Sequence, residues 1–141
     1  MADISEKRVQ RREAIAEGEI TLRARTVRLI KRGGIEKGDP LQIAKVAGIN
    51  ATKLTPALMP LCHPIPIENA DVQTEWDGSK VRVRAKVVAN SKTGVEMEAL
   101  TAVCAALLNI WDVVKAYEKD ENGQYPFTEI SNIRVLKKLK V

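Results

Sequence analysis

The chain carries one histidine, His63, in the run Met59-Pro60-Leu61-Cys62-His63-Pro64-Ile65-Pro66. The flanking prolines forbid a helix and keep the backbone extended. An imidazole is available for proton transfer near neutral pH, and a backbone fixed on both sides is one way to aim it; a lone histidine can equally be structural or merely exposed. A second group is Asp112 and Lys115, three residues apart in a helical stretch and so on one face. They interrupt a nearly apolar run, Leu107-Leu108-Asn109-Ile110-Trp111 and Val113-Val114. Two readings stand: an ordinary helical ion pair, or an acid–base pair whose burial would raise the carboxyl pKa and lower the ammonium pKa. The third group is Lys92-Thr93-Gly94-Val95-Glu96-Met97-Glu98, a glycine turn feeding a helix with two acids in its first turn. Acids there complement the helix dipole. Glu96 or Glu98 could also accept hydrogen bonds from the amino group of a guanine-like ring. Lys37 and Lys53, ahead of the histidine loop, are by residue type solvated surface lysines.

Period and punctuation give the elements that must position these groups. Residues 1–10 are charged and without period, which predicts a flexible arm. Arg12 to Leu22 loosely alternates, consistent with a strand broken at Gly18. Thr26 to Lys31 reads as a short helix stopped by Gly33-Gly34. Asp39 and Pro40 supply an N-cap and a first helical residue for a helix to about Asn50, resuming from Ala51 to Met59 with a break near Pro56. Strands at Ala70 to Trp76 and Lys80 to Val88 flank the hairpin signal Asp77-Gly78. Val95 to Glu118 is the longest helix, started by Thr93 or Gly94, and its broad apolar face calls for burial on more than one side. Ile130 to Leu139 is a last strand. The order strand, helices, strand, strand, helix, strand predicts a single α+β domain of ferredoxin-like type, an antiparallel sheet with helices on one face.

Composition narrows the ligand. With 141 residues, 45% apolar and 29% charged, the chain can bury a core without disulfide or metal. Cys62 and Cys104 are too few and too far apart for a zinc pattern, so two reduced, mostly buried thiols and no metal are expected. No apolar run approaches the length of a membrane span and no signal-type segment opens the chain, so the expected compartment is the cytoplasm. A net charge of +5 points to an anionic partner. Aromatic residues are only 4%, too few for the stacking platforms of single-strand binders. A phosphorylated small molecule is the better fit.

Lys37-Gly38-Asp39, Ala47-Gly48-Ile49, Lys53, Leu61-Cys62-His63-Pro64, the run from Thr93 to Ala102 and Trp111-Asp112-Val113-Val114-Lys115-Ala116 occur in that order. Together with Asp3-Ile4-Ser5 and Arg12-Glu13-Ala14 they resemble the cyclic pyranopterin monophosphate synthase family of molybdenum cofactor biosynthesis. The resemblance implies a lyase that converts 3′,8-cyclo-7,8-dihydroguanosine 5′-triphosphate to cyclic pyranopterin monophosphate and pyrophosphate, with no cofactor. It implies Asp112, Lys115 and Lys53 as catalytic residues. Leu61, Cys62, His63, Met97, Glu98, Glu96, Lys37 and Lys138 would bind substrate. It also implies a homohexamer, a trimer of dimers, with sites at subunit interfaces and no nucleic-acid or membrane partner. One departure concerns the C-terminus: many members end in a glycine-rich lysine loop, whereas this chain ends Val135-Leu136-Lys137-Lys138-Leu139-Lys140-Val141. Lys138 takes the register of the family's first tail lysine, and a longer insertion, Lys119 to Ile130, precedes the last strand. Two rivals are a ferredoxin-like nucleic-acid-binding or regulatory module without turnover, and a scaffold whose site has decayed.

Overall fold

The computed structural model describes residues 1–141. In chain order the elements are β1 (Gln10–Thr21), α1 (Ala24–Lys31), α2 (Pro40–Leu58), β2 (Asn69–Asp77), β3 (Lys80–Ser91), α3 (Glu96–Glu118) and β4 (Glu129–Lys140). The sheet order is β2-β3-β1-β4, every neighbouring pair antiparallel, which is the ferredoxin-like α+β arrangement. Alternation sets which side chains meet the helices: Val81, Val83, Ala85, Val87 and Ala89 of β3 are all fully buried, as are Ala16 and Ile20 of β1.

Gly18 does not break β1. It sits within the strand because α3 lies directly upon it: a Cβ there would come within 2.9 Å of Leu107 and Val103. Its effect appears on the neighbouring strand, where the β1–β4 register shifts between Glu17 and Glu19. Asn132, a residue type that tolerates the left-handed region, adopts φ 57° there. Gly48 has the same role between helices, with a virtual Cβ 3.0 Å from the Ala102 carbonyl oxygen and from Val72. The Asp39 carboxylate caps α2, accepting from the Leu41 and Gln42 amides at 3.0 and 3.4 Å, with Pro40 in the first turn. Pro56 lies inside the last turn and α2 runs unbroken to Leu58.

The outer face of the sheet is ionic. Glu13, Glu17 and Glu19 are each about nine-tenths buried beneath flanking cations. Arg84 and Arg134 grip Glu17 at 3.1 and 3.0 Å, Lys86 and Arg11 approach Glu13, and Lys80 and Asn132 approach Glu19. Burial pushes the Glu17 carboxyl up, but the hydrogen bonds and charges of Arg134 and Arg84 outweigh it and hold the group below its ordinary value. By length and composition α3 is long and apolar enough to cross a membrane; here it is the core helix, 56% buried over its most apolar window.

Candidate active site

The loop that leaves α2 and the turn that enters α3 meet at one end of the molecule. Leu61, Cys62, His63 and Ile65 from the first, with Thr93, Gly94, Glu96, Met97 and Glu98 from the second, line a cavity of about 250 Å³. Both crossovers end here because helices that connect strands of an antiparallel sheet run antiparallel to each other. The α2 C-terminus therefore lies beside the α3 N-terminus. Glu98 is 2% exposed. Burial pushes its carboxyl up, the neighbouring Glu96 charge adds to that, and a hydrogen bond from its own backbone amide opposes them. Met97 and Leu61 are exposed at the rim. Lys138 of β4 reaches the same end, its Nζ 2.8 Å from Glu96 Oε1.

Asp112, Lys115 and Lys37 form a second group. Lys115 Nζ is 3.0 Å from Asp112 Oδ1, and Lys37 Nζ is 3.9 Å from Asp112 Oδ2. The Asp112 and Lys115 side chains are 60% and 44% exposed, so within one chain the pair is the ordinary helical ion pair of the two readings, not the buried acid–base pair. The pKa directions are likewise those of an ion pair, the reverse of the buried reading. The hydrogen bond and charge of Lys115, then the charge of Lys37, hold the Asp112 carboxyl below its ordinary value. The hydrogen bond and charge of Asp112 hold the Lys115 ammonium above its own. The physical reason lies in the helix wheel. Asp112 falls one turn after Leu108 on the stripe that faces away from the sheet, and Leu108 itself is 59% exposed.

The sequence-predicted residues thus fall in two places and a remainder. Leu61, Cys62, His63, Glu96, Met97, Glu98 and Lys138 come together, and so do Lys37, Asp112 and Lys115. Lys53 stands apart, exposed on the outer side of α2. Fourteen steps along α3 lead from Glu98 to Asp112, about 21 Å at ~1.5 Å per residue. One reacting centre, which needs contacts of about 3–3.5 Å, cannot touch both within a single chain. The two thiols are only half-buried; burial pushes the Cys104 thiol up.

Two further features carried no local sequence signal. Ala2, Ile4 and Lys7 line the His63 cavity, although residues 1–9 form no regular element. Glu118 at the end of α3 is fully buried and accepts from the Arg23 amide at 3.1 Å, the Thr26 hydroxyl and the Thr128 hydroxyl at 2.8 Å. It ties α3 to the start of α1 and to the approach of β4. Its partners in α1 are more than ninety residues away, so no spacing rule points to them.

The MoaC family model matches residues 1–140. A probable cyclic pyranopterin monophosphate synthase of Sulfurisphaera tokodaii is 56% identical over 140 residues, covering 99% of this chain and 93% of the relative. Its counterpart of the same name in Saccharolobus solfataricus is 54% identical over 140 residues, covering 99% and 94%. A probable cyclic pyranopterin monophosphate synthase accessory protein of Methanothermobacter thermautotrophicus is 52% identical over 141 residues, covering 100% and 89%. With the family model matched along residues 1–140 and near-complete coverage on both sides, the chain belongs to the MoaC family.

Proposed function

We propose that the protein is a lyase of molybdenum cofactor biosynthesis that converts 3′,8-cyclo-7,8-dihydroguanosine 5′-triphosphate to cyclic pyranopterin monophosphate and pyrophosphate. The observation that carries this reading is the meeting of Leu61-Cys62-His63 with Met97-Glu98 on one cavity, in a chain of this family. The chemistry rebuilds a purine-derived ring and closes a cyclic phosphate. That requires positioned proton donors and acceptors and cations for developing phosphate charge. Glu98, whose carboxyl is pushed up by burial, accepts from or donates to the ring's polar edge. Glu96 is engaged by Lys138 and acts at the same edge. His63, Lys138 and Lys37 serve the phosphates. Asp112 and Lys115 form the acid–base pair, with Lys53 as a further catalytic lysine.

The separation along α3 makes this assignment one for an assembly. In a single chain Asp112 and Lys115 are a solvated ion pair, each favoured in its charged form by the other, which suits neither proton transfer nor exclusion of water. A second copy that seats its His63–Glu98 end against the first chain's Asp112 patch would supply both the missing contacts and the desolvation. We therefore place the reaction at subunit interfaces of a homohexamer, a trimer of dimers, in the cytoplasm. A nucleic-acid-binding module is the poorer reading. The strands β1, β3 and β4 carry no aromatic residue, and the outer-face arginines are already paired, Arg84 and Arg134 with Glu17 and Arg82 with Glu75 and Asp77.

The test is to incubate the protein anaerobically with the cyclic dihydro-GTP substrate and assay pyrophosphate and the pterin product. Stoichiometric release of both is expected. Folded protein that yields neither overturns the enzyme reading.

A further inference from the structure

We propose that residues 2–7 form a strap across the His63–Glu98 cavity and that Lys7, carried on this strap, is a further substrate-binding cation. The proposal rests on the function proposed above. Three contacts fasten the segment. His63 Nε2 lies 2.8 Å from the Ala2 carbonyl oxygen, which can only accept, so the ring donates at that nitrogen. Lys92 Nζ donates to the Ser5 carbonyl oxygen at 3.1 Å, and Lys92 is itself held through its own carbonyl by Arg12 Nη2 at 3.3 Å. Within the segment, the Ser5 amide donates to Asp3 Oδ1 at 2.9 Å and the Lys7 amide to the Ile4 carbonyl at 3.1 Å. These bonds fold it into a turn whose half-buried Ile4 faces the cavity.

The charges around the cavity say what the strap brings. The walls contribute two carboxylates, Glu96 and Glu98, and Lys138, paired with the first of them, offsets only one of the two charges. Lys7 is the lysine among the lining residues, and it makes no ion pair within the chain. A phosphorylated ligand entering this space meets acids below and needs a mobile cation above; Lys7 is placed to be that group. The strap also occupies the donor that the ligand would use. The His63 Nε2–H that now bonds the Ala2 carbonyl must pass to a ligand oxygen, so binding exchanges one acceptor for another and shifts the first residues of the strap. Lys92, a strap anchor outside the cavity lining, sets how readily that exchange occurs.

Because His63 is the sole histidine, its ring gives a single assigned magnetic resonance signal in the full chain. GTP serves as the binding probe. Lys7→Gln is expected to weaken GTP about tenfold, and Lys7→Arg to bind within about threefold of the unmodified chain, because a charge-assisted contact is restored. Equal GTP affinity in Lys7→Gln and the unmodified chain overturns the role of Lys7. Without any nucleotide, Lys92→Gln is expected to move the His63 ring signal and to raise amide exchange at Ser5 and Lys7. A His63 signal that superimposes on that of the unmodified chain overturns the strap. An unmodified chain that binds neither GTP nor its cyclic dihydro derivative overturns the proposed function and the Lys7 role together; the His63 signal in Lys92→Gln still decides the strap on its own.

Discussion

The two ends of α3 carry the same kinds of side chain in opposite physical states. At the N-terminal end, Glu98 is sealed into the fold, its carboxyl pushed up by burial and by Glu96. At the C-terminal end, Asp112 is exposed and held ionised by Lys115 and Lys37. A carboxylate's neighbours and its access to water decide which state it takes, not its place in an apolar run. The first end is ready for a ligand in a single chain, apart from the strap. On the function proposed above, the second acquires its chemistry only when a second copy covers it.

The largest expected effect breaks that comparison at the exposed end. Asp112→Asn keeps the shape and removes the acid, and should lower kcat by about 10³-fold or more, the upper part of the range for a positioned acid or base. Because the side chain is exposed, the variant should stay folded at neutral pH with only a small loss of stability, that of an exposed ion pair. Turnover within a few-fold of normal would remove Asp112 from the chemistry. The next experiment asks whether the ends cooperate between copies. Asp112→Asn and His63→Ala should each be inactive alone. Co-refolded in equal amounts, they should recover about a quarter of full activity, since half the pairs are mixed and each mixed pair has one intact site. No recovery, with mixed assemblies demonstrated, would mean that both ends of one chain are not shared between subunits.

Glu118 tests why the exposed end is nevertheless well positioned. Its carboxylate is fully buried and its hydrogen bonds fix α1 and the approach to β4 one turn beyond Lys115. Glu118→Ala leaves a part-buried amide and two buried hydroxyls without their acceptor, and should cost about 2–4 kcal/mol in urea unfolding. A loss under about 0.5 kcal/mol, the usual scatter for surface substitutions, would show that the end of α3 is held by packing alone.

Much of this was legible before the fold was known, where the cause is local. Asp39-Pro40 starts α2 and Gly78 turns the hairpin at φ 59°, because a cap and a left-handed turn depend on neighbours in sequence. Gly18 was misread because the same residue type serves a bend and a close approach; only the position of Leu107 and Val103 distinguishes them. For Asp112 the apolar run around it leaves an exposed and a buried reading equally open. Assigned to its own stripe with exposed Leu108, it points outward. The strap gave no signal, since a segment without period is fastened only by His63 and Lys92, distant in sequence. The 14-position offset between Glu98 and Asp112 on one helix already implies about 21 Å, but nothing in the sequence says that Glu98 meets Leu61-Cys62-His63, because that depends on how α2 and α3 pack.

The smallest expected effect sharpens the comparison at the buried end, through pH. Glu98 has its folded pKa raised above the unfolded value of 4.5. As pH rises past 4.5 the unfolded chain loses this proton first, so the native state binds more protons than the unfolded one. Stability therefore falls with rising pH between the unfolded value and the higher folded one, and the penalty persists above that window. Glu98→Gln keeps the shape and cannot ionise, so it should be more stable than the unmodified chain near pH 7 by more than it is near pH 4. At the other end of the helix the sign is opposite. The Asp112 pKa is depressed, so its contribution is present above the unfolded value of 3.8 and fades as pH falls through the folded one. Asp112→Asn should then lose relative stability only in the upper range. Urea midpoints for both variants across pH 3 to 8 would separate the two signs. Parallel curves for Glu98→Gln and the unmodified chain would mean that Glu98 is satisfied as a carboxylate and is no reservoir of a proton for the ligand.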